Sequence, residues 1–173
     1  MLIDTVERTT GVTLQAAQAD ALGRLVVEWL LWPKNLSAVP ELAARVLATG
    51  FSPQRLALLA GMSRAADPWE IREEFTLAVG ELGLDWSGCE RERRAALRGE
   101  LCCELIRRGC LSPTVGAQFL AHGDFFDMDE AVKRIYRPLV NPVIEWEEDG
   151  HPSTEQFSRY IREYIEKTHL GEG

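Results

Sequence analysis

The sequence predicts an all-α protein, a bundle of antiparallel helices with one short extended or strand-like segment near 143–147. Three observations predict it. Pro40, Pro53, Pro68 and Pro113 stand where helices should open, and three of them follow Ser52, Asp67 or Ser112. Proline suits a first helical position because its missing N–H has no partner there, and Ser or Asp before it can cap free N–H groups. Gly50, Gly61, Gly109 and Gly123 each follow an apolar stretch, where a left-handed glycine closes a helix. Between these marks, apolar residues recur at three- and four-residue steps, as in Leu97, Leu101, Cys102, Leu105 and Ile106, which gives a helix one apolar face.

Taken in order, a short helix or turn is expected over 3–9 and a long helix over 14–32, striped by Leu22, Leu25, Trp29 and Trp32 and stopped by Pro33. Helices follow over 40–49, 53–60 and 68–83, the last opened by Asp67-Pro68-Trp69-Glu70 in the manner of a capping box. Ser87 to Glu90 and Ser153 to Gln156 have the capping-box spacing and open helices expected over 88–108 and 154–168. Phe157, Ile161, Tyr164, Ile165 and Leu170 stripe the last of these. Shorter helices are expected over 113–121 and 128–136. Arg137 to Pro152 is the exception. It holds Pro138, Pro142 and Pro152, and Val143-Ile144-Glu145-Trp146-Glu147 alternates apolar and acidic residues, so an edge strand or a packed loop is expected, with Asp149-Gly150 as a turn.

With 173 residues, 46% of them hydrophobic, the chain can bury a core without metals or disulfides, and one domain over 1–173 is expected. The net charge of −8 is unevenly spread: residues 1–123 carry 15 acids against 13 bases, residues 124–173 carry 12 against 6. Such a surface repels phosphates, which disfavours nucleic acid, and attracts a basic partner. The most apolar stretch, Leu25 to Trp32, is interrupted by Glu28 and is too short to span a membrane, and no targeting segment is visible, so a cytoplasmic protein is expected. Cys89, Cys102, Cys103 and Cys110 form no C-x-x-C pair and read as small buried hydrophobes.

No nucleophile elbow, phosphate-binding loop, dinucleotide-binding glycine pattern or zincin motif occurs, and His122, His151 and His169 lie at no metal-ligand spacing from one another. No cofactor, metal or catalytic residue is therefore assigned. The densest acidic group is Glu145, Glu147, Glu148 and Asp149, beside His151 and around Trp146. A solvated acidic turn and a hard-cation loop are two readings of it. A third is a contact surface formed by Glu145, Trp146, Glu147, Glu148 and Asp149, because Trp flanked by polar groups is typical of interface anchors. The stretch 41–64 has the outline of a helix-turn-helix, but its second helix offers only Arg55, with Arg64 beyond, which is little charge for a DNA reader. On the helix 88–108, Glu104 and Arg108 form an i, i+4 pair on what reads as a solvated face, one that can also dock the acidic C-terminal segment.

Leu101 to Ala117, a helix stopped at Gly109 and followed by Leu111-Ser112-Pro113 and then Gly116-Ala117, resembles a pattern in small acidic helical bacterial proteins, some of them similar to immunity proteins that neutralise a toxin. The resemblance covers about a tenth of the chain and carries over no functional residue. It implies a non-enzymatic protein, an immunity- or antitoxin-type inhibitor of a basic partner. A helical enzyme or small-ligand binder using Glu145, Glu147 or His151, and a helix-turn-helix nucleic-acid binder, are the alternatives.

Overall fold

The computed structural model describes residues 1–31, 36–63, 65–149, 153–168 and 170. Trp32, Pro33, Arg64, Gly150, His151, Pro152 and His169, about which the sequence raised expectations, lie outside the described residues. Among the described residues the chain is all-α, with no strand. Its helices are α1 (Leu2–Thr10), α2 (Ala16–Leu30), α3 (Val39–Leu47), α4 (Gln54–Ala60), α5 (Pro68–Glu81), α6 (Arg91–Arg107), α7 (Pro113–His122), α8 (Glu130–Asp149) and α9 (Thr154–Thr168), with short 3-10 turns at Leu36–Ala38 and Asp124–Asp127. Contacts group the chain into two compact units, Leu2–Asp85 and Trp86–Gly173, the second also taking in Met1.

In the first unit, α3 packs on α2 and α4, and α4 on α5. The core is aliphatic, with Leu22, Leu25, Val26, Val46, Leu56, Leu59 and Ile71 buried, and Trp29 meets Phe75 edge-on at 5.6 Å. Asp67 caps α5 as expected, accepting from Trp69 N at 2.8 Å. Ser52 does not cap α4. Its first N–H groups are taken from outside the helix by Glu81, which accepts from Gln54 N at 3.1 Å and Arg55 N at 2.7 Å. A carboxylate there also suits the positive end of the helix dipole.

In the second unit, α6 is buried on all sides from Leu101 to Ile106. The Glu104–Arg108 pair is thus not on a solvated face: Glu104 is 1% exposed and accepts from Arg108 Nε at 2.9 Å. A buried carboxylate is costly unless paired, so the bond ties the end of α6 to its own core. Cys102 and Cys103 are fully buried, and loss of solvation pushes the Cys103 thiol up to about 12, leaving it a packed, protonated side chain. All four cysteines are free thiols. Of the expected glycine stops, Gly50 and Gly109 are left-handed, with φ of 87° and 71°. Gly61 and Gly123 follow helices without a positive φ. The Ser153–Gln156 capping box forms, with Gln156 N donating to Ser153 Oγ at 3.3 Å and Ser153 N to Gln156 Oε1 at 3.1 Å. The helix expected to open after Ser87 instead starts at Arg91, with Glu90 in the cap position.

The largest departure is α8. The strand-like segment at 143–147 is helical, and the helix expected over 128–136 runs on to Asp149 through Pro138 and Pro142. An interior proline costs a helix about 3 kcal/mol. Packing offsets that here. Tyr136, Leu139, Val140 and Val143 fall at i, i+3, i+4 and i+7, and all are buried. Burying Leu139, Val140 and Val143 contributes roughly 1.5–3 kcal/mol each. The alternation in 143–147 misleads because Ile144 is 47% exposed while Val143 and Trp146 share the inner face.

Helix α9 lies antiparallel to α8, as three contacts in descending register establish. Phe157 stacks on Trp146 with centroids 5.2 Å apart, Tyr160 Oη donates to Pro138 O at 2.9 Å, and Tyr164 Oη donates to Ile135 O at 2.8 Å. Desolvation holds the Tyr164 hydroxyl above its ordinary range, keeping it a donor.

The α6–α7 crossing is close because Gly116 has no side chain. A Cβ there would stand 2.5 Å from Ile106 Cδ1 and 3.1 Å from Cys102 Sγ. Gly116→Ala is expected to lower unfolding free energy by about 1–3 kcal/mol in urea titrations. Gly88→Ala, where a Cβ meets nothing within 4 Å, should stay within about 0.5 kcal/mol of the parent. Equal stability of the two variants would contradict the close crossing.

Candidate functional site

The acidic group occupies the last two turns of α8, with Glu145, Glu147 and Glu148 exposed and Trp146 half-buried. The side chain of Asp149 and all of His151 lie outside the described residues. Trp146 lies nearly parallel to the fully buried Phe157, at 18° between planes, with part of its surface in solvent. It is an anchor for α8 on α9 and, at the same time, part of the outer surface.

The three described carboxylates do not act together. Glu147 turns toward α7, accepting from Gln118 Nε2 at 2.8 Å, with its other oxygen 2.8 Å from His122 Nε2. The Gln118 bond is the largest cause of a carboxyl pKa held below its ordinary range; desolvation opposes it, and the His122 hydrogen bond and charge add to it. Among the described residues, no ion pair or hydrogen bond engages Glu145 or Glu148. They face water one turn apart on the surface that also carries Asn141 and Ile144.

Their position is electrostatically poor. The C-terminal end of a helix carries about half a negative charge, and an acid there costs roughly 0.3–1 kcal/mol. Like charges three or four residues apart add a smaller penalty. Residues 145–149 combine both effects, since the first half of the same helix holds Lys133, Arg134 and Arg137 and the second half only acids. Lys133 and Arg137 pair instead with Glu130.

The other sequence candidates settle differently. Arg55, the one basic residue of α4, lies 3.3 Å from Glu74, so the helix that would read DNA presents a neutralised cation. Of the α6 arginines, Arg91 pairs with Asp127 and Arg98 stands over the Phe119 ring. One of them, Arg91, therefore meets the start of the acidic C-terminal segment at Asp127, while Glu147 is held by α7. Two clefts run along α9. One of about 220 Å³ is lined by Ile106, Arg107, Arg108, Arg162, Ile165 and Glu166, the other by Ser112, Glu155, Ser158, Arg159 and Arg162 among others. Neither is lined by Glu145 or Glu147. Among the described residues no group of three or more His, Cys, Asp or Glu side chains is placed to hold a metal ion, and no helix is long and apolar enough to cross a membrane. No family model, curated protein or solved structure matches the chain.

No motif in the sequence marks Gln118 and His122 as partners of Glu147. They lie four apart on α7, a spacing that puts both on one face, yet nothing local names the carboxylate they meet.

Because the Glu147 carboxyl pKa is depressed in the folded protein, its contribution to stability is present above the ordinary carboxylate range and is lost as pH falls through the lowered value. Glu147→Gln is expected to cost about 0.2–1 kcal/mol near neutral pH, as for an exposed pair, and to flatten that part of the acid-side loss of stability. Urea titrations across the acid range check this. Parallel curves for the two proteins would show that the α7–α8 contact contributes nothing.

Proposed function

We propose that the chain is a protein-binding protein whose acidic α8 terminus docks a basic partner, in the manner of an immunity- or antitoxin-type inhibitor. One observation carries the reading: Glu145 and Glu148 stand exposed, with no partner among the described residues, at the end of a helix whose dipole disfavours them. A Lys- or Arg-bearing surface would relieve both the dipole penalty and the like-charge repulsion. Ile144, 47% exposed beside them, and the open edge of Trp146 supply apolar contact area. Blocking a basic active surface requires no chemistry from the inhibitor, only steric cover and steering by charge.

The test is affinity capture from the native host with the intact chain as bait, including products of neighbouring genes, followed by titration of the purified partner at several salt concentrations. The doubly reversed variant Glu145→Lys with Glu148→Lys is expected to bind about tenfold or more weakly and to show a shallower salt dependence, with unchanged circular dichroism. Absence of any basic partner above background, or equal binding by the variant, would remove the reading.

A further inference from the structure

We propose that α8 is a hinged helix whose C-terminal half, residues 143–149, is held in place by a hydroxyl catch from α9, with Tyr160 as the positioning residue. In an α-helix each carbonyl accepts from the N–H four residues on. Pro142 has no N–H, so Pro138 O has no helical donor, and Pro138 likewise leaves Arg134 O without one. Two adjacent turns of α8 are thus weakened together, just ahead of the acidic end. The Tyr160 hydroxyl donates to Pro138 O at 2.9 Å, the very carbonyl that Pro142 leaves without a helical donor. Tyr164, four residues further along α9, donates to Ile135 O at 2.8 Å, just before the prolines. The two tyrosines lie four apart on α9, and their bonds pin α8 at and just before Pro138, where the weakened turns begin.

Beyond the hinge, the terminal half is held by buried Val143, by the Trp146–Phe157 stack and by Glu147 on Gln118 and His122. Its placement is therefore set by α7 and α9 more than by continuation of its own helix. Swinging this half out would uncover Phe157, which is fully buried and stacked beneath Trp146. The hinge is a property of the fold and holds whether or not a basic protein docks at the acidic end.

Amide hydrogen exchange on the intact chain tests it. Tyr160→Phe is expected to speed exchange over 143–149 by roughly two- to tenfold, the range for one net hydrogen bond, while 130–137 changes less. Pro142→Ala supplies a backbone N–H for Pro138 O. It should slow exchange over 143–149, and in that background Tyr160→Phe should have little further effect. This rescue separates a catch from general loosening of the packing, which Pro142→Ala would not repair. Unchanged exchange in Tyr160→Phe, equal acceleration on both sides of the prolines, or the same acceleration in the Pro142→Ala background would each overturn the proposal.

Discussion

The second unit depends on how one helix survives two prolines. Alone, residues 130–149 would break near Pro138. They remain helical because the inner face of α8 is apolar at helical spacing and because α9 lays Phe157, Tyr160 and Tyr164 along it. Hydrophobic burial supplies the larger free energy, and the tyrosine hydroxyls supply the geometry. Tyr160 gives a donor to the one carbonyl that Pro142 leaves without a helical partner, on the exposed side of the α8–α9 contact.

That arrangement decides where the acidic group stands. As an edge strand, 143–147 would have sent Glu145 and Glu147 to the same side. As helix, it separates them: Glu147 closes against α7, and Glu145 and Glu148 remain outside. The group's described carboxylates, which look like one feature in sequence, are two in structure, a structural carboxylate and an exposed pair. The proposed docking surface is correspondingly smaller than the sequence cluster, with Ile144 as its apolar neighbour.

Much of the fold was legible from local signals. Asp67 before Pro68, the Ser153–Gln156 box and the left-handed Gly50 and Gly109 act within a few residues of themselves, and each marks a helix end as expected. The failures are non-local. Ser52 was a plausible cap for α4, but Glu81, far along the chain, takes the same N–H groups. Glu104 and Arg108 had the spacing of an exposed pair, and only the packing of α6 reveals that its carboxylate is buried. Pro138 and Pro142 are helix breakers by every local rule, and their override is non-local: it comes chiefly from burial of Tyr136, Leu139, Val140 and Val143, with the Tyr160 and Tyr164 hydroxyls adding bonds from 22 and 29 residues away. The alternation at 143–147 fitted period two only because Ile144, an apolar residue, faces water. Of the site, the residues were legible; their division of labour was not, since Gln118 and His122 come from another helix.

Both the separation of the acidic residues and the packing on α9 require α8 to remain helical from Tyr136 to Glu148. Backbone carbon chemical shifts of the intact chain in solution test this residue by residue. Helical shifts continuing through Val143, Ile144, Glu145, Trp146 and Glu147 are predicted, together with cross-relaxation between the Tyr160 ring and Pro138. Extended-type shifts over 143–147, with no Tyr160–Pro138 contact, would contradict it.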